Sequence, residues 1–331
     1  MVELARRLPI PQRRLPASPV LLLLAAACIF LVIGSLRSAL FAELTVKGVA
    51  TGAVYGSLAL ALVLIYRATG VVNFAQGELA MFSTFVAWTL TQHGFSYWPA
   101  FALTVAASFG GGIALERVVI RPVERASVLT VAIVTIGVFF VVNGAAFWIW
   151  SPEVKSMPNA FSTRPIRIAG VAFSISDLGI IGVSLLAVLL LWFFFRFTKL
   201  GLAMRAAALN PESSRLTGIR VSWMIALGWG LATALGAVAG LMAAPPLGSF
   251  DQNFMQPILL YAFAGAVLGG IDSALGAVVG SLALGVFLNL LGTYVSWVGT
   301  DLRQAAALAV ILGVLLVRPA GLFGQALVRR V

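Results

Sequence analysis

The stretch GLAMRAAALNPESSRLTGIRV, residues 201–221, decides how the chain is read. It carries three arginines and an Asn-Pro step, yet it lies between two apolar runs, residues 178–197 and 222–243. Each run reaches the roughly 20 residues that a helix needs to cross the hydrocarbon core of a bilayer. A polar, arginine-bearing segment between two such runs is a loop at a membrane face.

Working outward, the same alternation recurs along the chain. Apolar runs at residues 20–36, 44–66, 77–92, 98–119, 128–150, 255–271, 274–297 and 302–317 join the two flanking ones, which predicts ten spans. The pieces beginning at Gly77 and Met255 are short enough to be broken or re-entrant helices. Composition agrees: 61% of the 331 residues are hydrophobic and 10% charged, against about a quarter charged in soluble domains, with a mean hydropathy of +1.04. The fold class expected is all-α, a polytopic transmembrane helical bundle. Glycines inside apolar runs, as in GSLALGVFLNLLG (residues 280–292), let helix backbones approach closely.

The N-terminus imitates a secretory signal, with a basic region before an apolar one, but its apolar run continues past Cys28 to Leu36, longer than a signal core of about 7–15 residues, and reads as the first span. Cys28 is the single cysteine, so no disulfide framework is available. The net charge of +11 comes from short basic groups between apolar runs, which speaks for orientation rather than for nucleic acid. With the N-terminus inside, 16 of the 22 Lys and Arg fall on the cytoplasmic side and 6 outside. The positive-inside rule thus predicts cytoplasmic termini, with residues 1–17 an N-terminal segment, 18–317 the membrane domain and 318–331 a C-terminal tail. The longest outside connection, 151–177, contains IRIAGVAFSI, whose pattern fits a short β-hairpin.

Much chemistry is missing. His93 is the only histidine, and there is neither a GxxxxGK[ST] phosphate loop nor a GxGxxG after a strand. No metal site, ATP site or assembled nucleophile is expected, and hence no enzyme. All eleven acidic residues, Glu78 and Glu116 among them, read as lying near span ends or in loops, so no intramembrane carboxylate is expected for ion coupling. The mid-span Asn143 and Asn289 read as interhelical hydrogen bonders, worth about 0.6 kcal/mol each.

Residues 199–209 are rich in good helix formers. Asn210 precedes Pro211 and should stop that helix, then cap a second with Pro211 at its first position, Glu212 near its positive end and Gly218 beyond its last turn. The result is a bent helical pair whose small-residue surface, bordered by Arg205, Arg215 and Arg220, can seat in a partner's groove. An ordinary positive-inside loop is the plainer alternative.

Four motifs in order resemble the permease subunits of branched-chain amino acid ABC importers: YRATGVVNFAQGELAMF (66–82), ERVVIRPVERASVLTVAIVTIG (116–137), GLAMRAAALNPESSRLTGI (201–219) and LGGIDSALGAVVGSLALGV (268–286). The resemblance covers residues 44–317. It implies a pathway through the inner membrane, formed with a second permease chain, identical or homologous. Cytoplasmic ATPase subunits holding ATP and Mg and an external substrate-binding protein complete the assembly, and this chain binds no cofactor itself. It also implies a coupling element within 198–221, carried by Ala203, Met204, Arg205, Ala206, Ala207, Leu209, Asn210, Pro211, Ser214 and Gly218. On that reading, Arg205→Glu or Ala207→Trp should weaken assembly with the ATPase while sparing insertion.

Pathway candidates are Asn73, Phe74, Gln76, Glu78, Asn143, Gln252 and Asn253, because interrupted hydrophobic segments are where backbone can face a cavity. The family often has histidine where this chain has Gln76, and a small residue where it has Asp272. These departures bear on the solute, for which amides or urea are alternatives to branched-chain amino acids. A self-contained channel or facilitator remains a second reading.

Overall fold

The computed structural model describes residues 30–34, 38–124, 126–162, 164–168, 171–295, 299, 302–318 and 320–324. Residues 30–34 are helical. The rest of the expected first span, Cys28, the segment 1–17, the end of the ninth expected run at 296–297 and most of the tail 318–331 lie outside the described residues.

The described chain is mostly helical. In order come α1 (Ala39–Thr69), α2 (Gln76–Gln92), α3 (Tyr97–Leu115), α4 (Val128–Trp150), strands β1 (Pro165–Ile168) and β2 (Val171–Ser174), α5 (Ile175–Phe197), α6 (Lys199–Leu209), α7 (Pro211–Leu216), α8 (Val221–Leu247), α9 (Met255–Gly269), α10 (Ala274–Tyr294) and α11 (Arg303–Val317). Six helices are long and apolar enough to cross a membrane: α1, α3 with its continuation to Val123, α4, α5, α8 and α10. Three more of the ten expected spans are shorter. At 1.5 Å per residue the 17 residues of α2 and the 15 each of α9 and α11 reach only about 22–26 Å, against a core of about 30 Å.

Helix α1 is the hub. It packs most closely against α10, and also against α8, α5 and α9. Gly48, Gly52 and Gly56 lie one helical turn apart on one face of α1, and close approach to α10 depends on the first two. A Cβ on Gly48 would stand 2.6 Å from Val286 Cα, and one on Gly52 2.8 Å from Leu282 Cα, so any side chain there forces the backbones apart. Asn289 adds the expected interhelical bond, its Nδ2 donating to Leu44 O at 2.6 Å.

Burial separates centre from periphery. In their most apolar windows α1 and α8 are 78% and 72% buried, while α4 and α5 are 17% buried each. The outward faces of α4 and α5 remain apolar, with Phe140, Trp148, Leu190 and Trp192 exposed. An apolar exterior of this kind is what a bilayer solvent selects.

The expected hairpin is present: β1 pairs antiparallel with β2, Ile166 opposite Phe173 and Arg167 opposite Ala172. The loop before it is strapped down, Lys155 and Phe250 exchanging backbone hydrogen bonds of 2.9 Å and Trp88 Nε1 donating to Ser156 O.

Candidate functional site

Two places gather the candidate residues: a broken turn between α1 and α2, and the elbow formed by α6 and α7.

Helix α1 ends at Gly70, whose left-handed backbone (φ 73°) lets its N–H bond back to Tyr66 O at 2.7 Å. Residues 71–75 then run without helical structure. Asn73 organises the turn: its Oδ1 accepts from Ala75 N (3.1 Å) and its Nδ2 donates to Gln76 Oε1 (3.1 Å). Gln76 in turn donates from Nε2 to Ala232 O on α8 at 2.9 Å. This bond needs the glycine at 236, since a Cβ there would lie 2.7 Å from Gln76 Nε2. The amide at 76, where the resembled family often has histidine, therefore ties the broken turn to the central helix α8.

Two residues on, Glu78 is 1% exposed. It accepts from Asn143 Nδ2 on α4 at 2.9 Å and from Gln256 Nε2 on α9 at 3.4 Å. Gln256 also donates to Asn253 Oδ1 at 2.9 Å. Asn143 lies well inside α4, about 22 Å from its first residue and about 10 Å from its last at 1.5 Å per residue. A carboxylate bonded to it is therefore inside the bundle and not in a loop. Glu78 stands in the first turn of its helix, as expected of an acid near a span end, but departs from that reading in being buried among the helices. Glu116 is a second departure: it opens a π-helical turn, Glu116–Ile120, is 1% exposed, and has no hydrogen-bond partner for either carboxylate oxygen among the described residues. Sequence position alone misled, because α2 begins inside the bundle and its first turn is not a membrane surface.

A cavity of about 270 Å³ adjoins the cluster, near the lower end of the roughly 300–1,000 Å³ usual for small-molecule sites. Leu62, Phe139, Leu259 and Phe263 give it apolar walls, and Asn73 and Gln256 bring amides to it. Of the candidates, Asn73 and Phe74 line the cavity, and Glu78 stands behind Gln256 with Asn143 and Asn253 beside it. Gln76 is turned to α8. Gln252 does not join them: its side chain is buried and donates to Ser151 O, holding the end of α4. Gln256 closes the interrupted segment 252–256 that the sequence marks as a candidate for lining the path, whereas Leu259 and Phe263, on the same helical face of α9, were not singled out.

The elbow forms as its sequence dictates. Thr198 caps α6, accepting from Gly201 N at 3.0 Å. Asn210, extended at φ −148°, ends α6 and caps α7 by accepting from Ser213 N at 3.0 Å. Pro211 is the first residue of α7, and Gly218 follows its end at φ 83°. Met204, Ala207 and Ser214 are buried, so they seat the elbow on the bundle, and Met204 Cε reaches toward Gly228 of α8. Ala207 is thus no part of an open docking face, and a tryptophan there would dislodge the elbow itself. Ala203, Arg205 and Ala206 are half-buried, while Leu209, Asn210, Pro211 and Gly218 are open. The most exposed apolar tips are Leu209 (85%) and Leu216 (90%), the second of which was not anticipated. Among the described residues no group of three or more His, Cys, Asp or Glu is placed to hold a metal.

The match to known proteins decides the family. Residues 44–318 fit the family described as the branched-chain amino acid transport system / permease component. The chain belongs to this family. It is 32% identical over 88% of its length, and 98% of the relative's, to the high-affinity branched-chain amino acid transport system permease protein LivH of Salmonella typhimurium. It is 30% identical, over 86% of the chain and 96% of the relative, to BraD of Pseudomonas aeruginosa. A solved structure, PsaBC from Streptococcus pneumoniae in complex with Fab, is a looser likeness, with a TM-score of 0.46 at 13% identity, covering 88% of this chain and 97% of that one. The family and the apolar helices together make the chain a multi-pass membrane permease component.

Proposed function

We propose that this permease forms, with a second permease chain, the inner-membrane pathway of an ABC importer for branched-chain amino acids. Separate ATPase subunits hold and hydrolyse ATP, and an external binding protein delivers the solute. Ten spans with both termini cytoplasmic fit the sixteen-to-six charge bias. That orientation puts the elbow inside the cell, where its capped helices and protruding Leu209 and Leu216 suit an ATPase groove.

The cavity at the broken turn carries the reading of the solute. Apolar walls with amides at one side suit a small molecule that has a branched hydrocarbon at one end and polar groups at the other. Contact with Leu62, Phe139, Leu259 and Phe263 favours the hydrocarbon, and urea would leave those walls unused. The α1–α2 break and the short α9 border this space, as interrupted helices border the sites of many transporters.

The test is uptake of labelled leucine into proteoliposomes containing this chain with its partner permease, ATPase subunits and binding protein. Uptake that needs both ATP and the binding protein is expected. Equilibration of leucine by this chain alone, without ATP, would replace the importer by a facilitator.

A further inference from the structure

We propose that Glu78 recognises the ammonium group of the amino acid in transit, so that it separates zwitterionic solutes from carboxylates and amides of the same shape. This rests on the permease reading above. Glu78 is the acidic group that the cavity reaches through one side chain, Gln256, which lines the space and donates to Glu78 Oε1. An ionised carboxyl pair of oxygens accepts about four hydrogen bonds. Glu78 receives two among the described residues, from Asn143 at 2.9 Å and Gln256 at 3.4 Å.

The longer bond is the replaceable one. Gln256 has a better acceptor in Asn253 Oδ1 at 2.9 Å and is itself exposed, so it can leave Glu78 without losing its partner. Asn143 holds the carboxylate in place from the other side. An ammonium entering beside the cavity would take the place of Gln256 and gain a charge-assisted bond, while the hydrocarbon stays against Leu62, Phe139 and Phe263. Asn73, just before α2, also lines the cavity, and its amide is a hydrogen-bond donor available to a solute carboxylate.

The experiment is displacement of labelled leucine from the complete permease–ATPase assembly, without binding protein, by leucine and by 4-methylpentanoate, which has the same hydrocarbon and carboxylate but no ammonium. The unaltered assembly should prefer leucine by about ten- to a hundred-fold, the worth of one charge-assisted bond. Glu78→Gln should bring the ratio close to one, and Glu78→Asp should keep part of it. Gln256→Ala, which removes the competing donor, should raise the ratio severalfold. An unchanged ratio in both Glu78→Gln and Gln256→Ala, or no preference in the unaltered assembly, overturns the assignment. Should Glu78→Gln fail to assemble, Gln256→Ala and Glu78→Asp decide. ATP-driven leucine uptake by the unaltered importer is measured alongside: its absence removes the permease reading, whereas its presence with an unmoved ratio removes only the role of Glu78.

Discussion

In the elbow, Thr198 caps α6 and Asn210 caps α7 through bonds that reach three residues along the chain. In the buried cluster, Glu78 meets Asn143 across 65 residues and Gln256 across 178, and Gln76 meets Ala232 across 156. One region is closed by its own sequence, the other by four helices arriving together. The difference explains why the elbow can present a firm surface at the edge of the bundle, and why the cluster exists only once α2, α4, α8 and α9 are packed. It also divides their sensitivities: damage to the elbow should stay local, and damage to the scaffold should dissolve the cluster.

The strongest break in that contrast comes from the scaffold. Gly52→Leu sets a branched side chain where even a Cβ lies 2.8 Å from Leu282 Cα. Overpacking of a dense core costs about 1–3 kcal/mol, and here the obstacle is backbone, which cannot swing aside. The variant should lose more than about nine-tenths of its monodisperse peak in size-exclusion chromatography after detergent extraction. A normal peak would mean that α1 and α10 are not held at this distance.

Next in size is the docking test at the elbow. Leu209→Glu with Leu216→Glu places charge on the two most exposed tips, which touch little of the chain, so stability should shift by no more than about 0.5 kcal/mol per site. Recovery of ATPase subunits with the tagged permease should fall at least about tenfold. Equal recovery would move the coupling surface elsewhere. Ala207→Trp, by contrast, should lower the stability of the permease itself, because Ala207 is buried against the bundle.

How much of this was legible in sequence follows the same divide. Helix α6 was bounded at Lys199 and Leu209, and Asn210, Pro211 and Gly218 were assigned their positions, because propensity, capping and proline sterics act within a few residues. The hairpin in the long connection was legible for the same reason. The burial of Glu78 was not. Its neighbourhood in sequence reads as the end of a span, and only the start of α2 inside the bundle puts it beside Asn143. Asn143 itself was visible as a mid-span amide, but its acceptor could not be read from one strand of sequence. The Gly48-Gly52-Gly56 spacing is legible as a small-residue seam, but which helix it faces is set by packing across the bundle.

A smaller effect sharpens the long-range side. Gly236→Ala would press a methyl group onto Gln76 Nε2 and weaken its bond to Ala232 O. A loss of about 1–2 kcal/mol is expected, read as a melting temperature lower by several degrees. If the effect runs through that amide, adding Gly236→Ala to Gln76→Ala should cost clearly less than it does alone. Full additivity in the cycle would show that the glycine serves some other contact, such as its approach to Ala80.

The smallest effect is the most selective. Six residues are too few for a helix to persist by its own propensity, so α7 depends on the bond that Asn210 makes to Ser213 N, on Pro211, and on the seat of Ser214. Asn210→Ala removes the cap and should cost about 1 kcal/mol, raising amide hydrogen exchange at residues 213–216 about fivefold. Asn210→Asp keeps an acceptor at the positive end of α7 and should restore protection. Exchange in α1, α8 and α10 should not move, because no bond of theirs passes through Asn210. Were protection to fall in α8 as well, the elbow would be part of the same cooperative unit as the cluster. A push on the elbow would then be felt directly at α8, where Gln76 holds the broken turn.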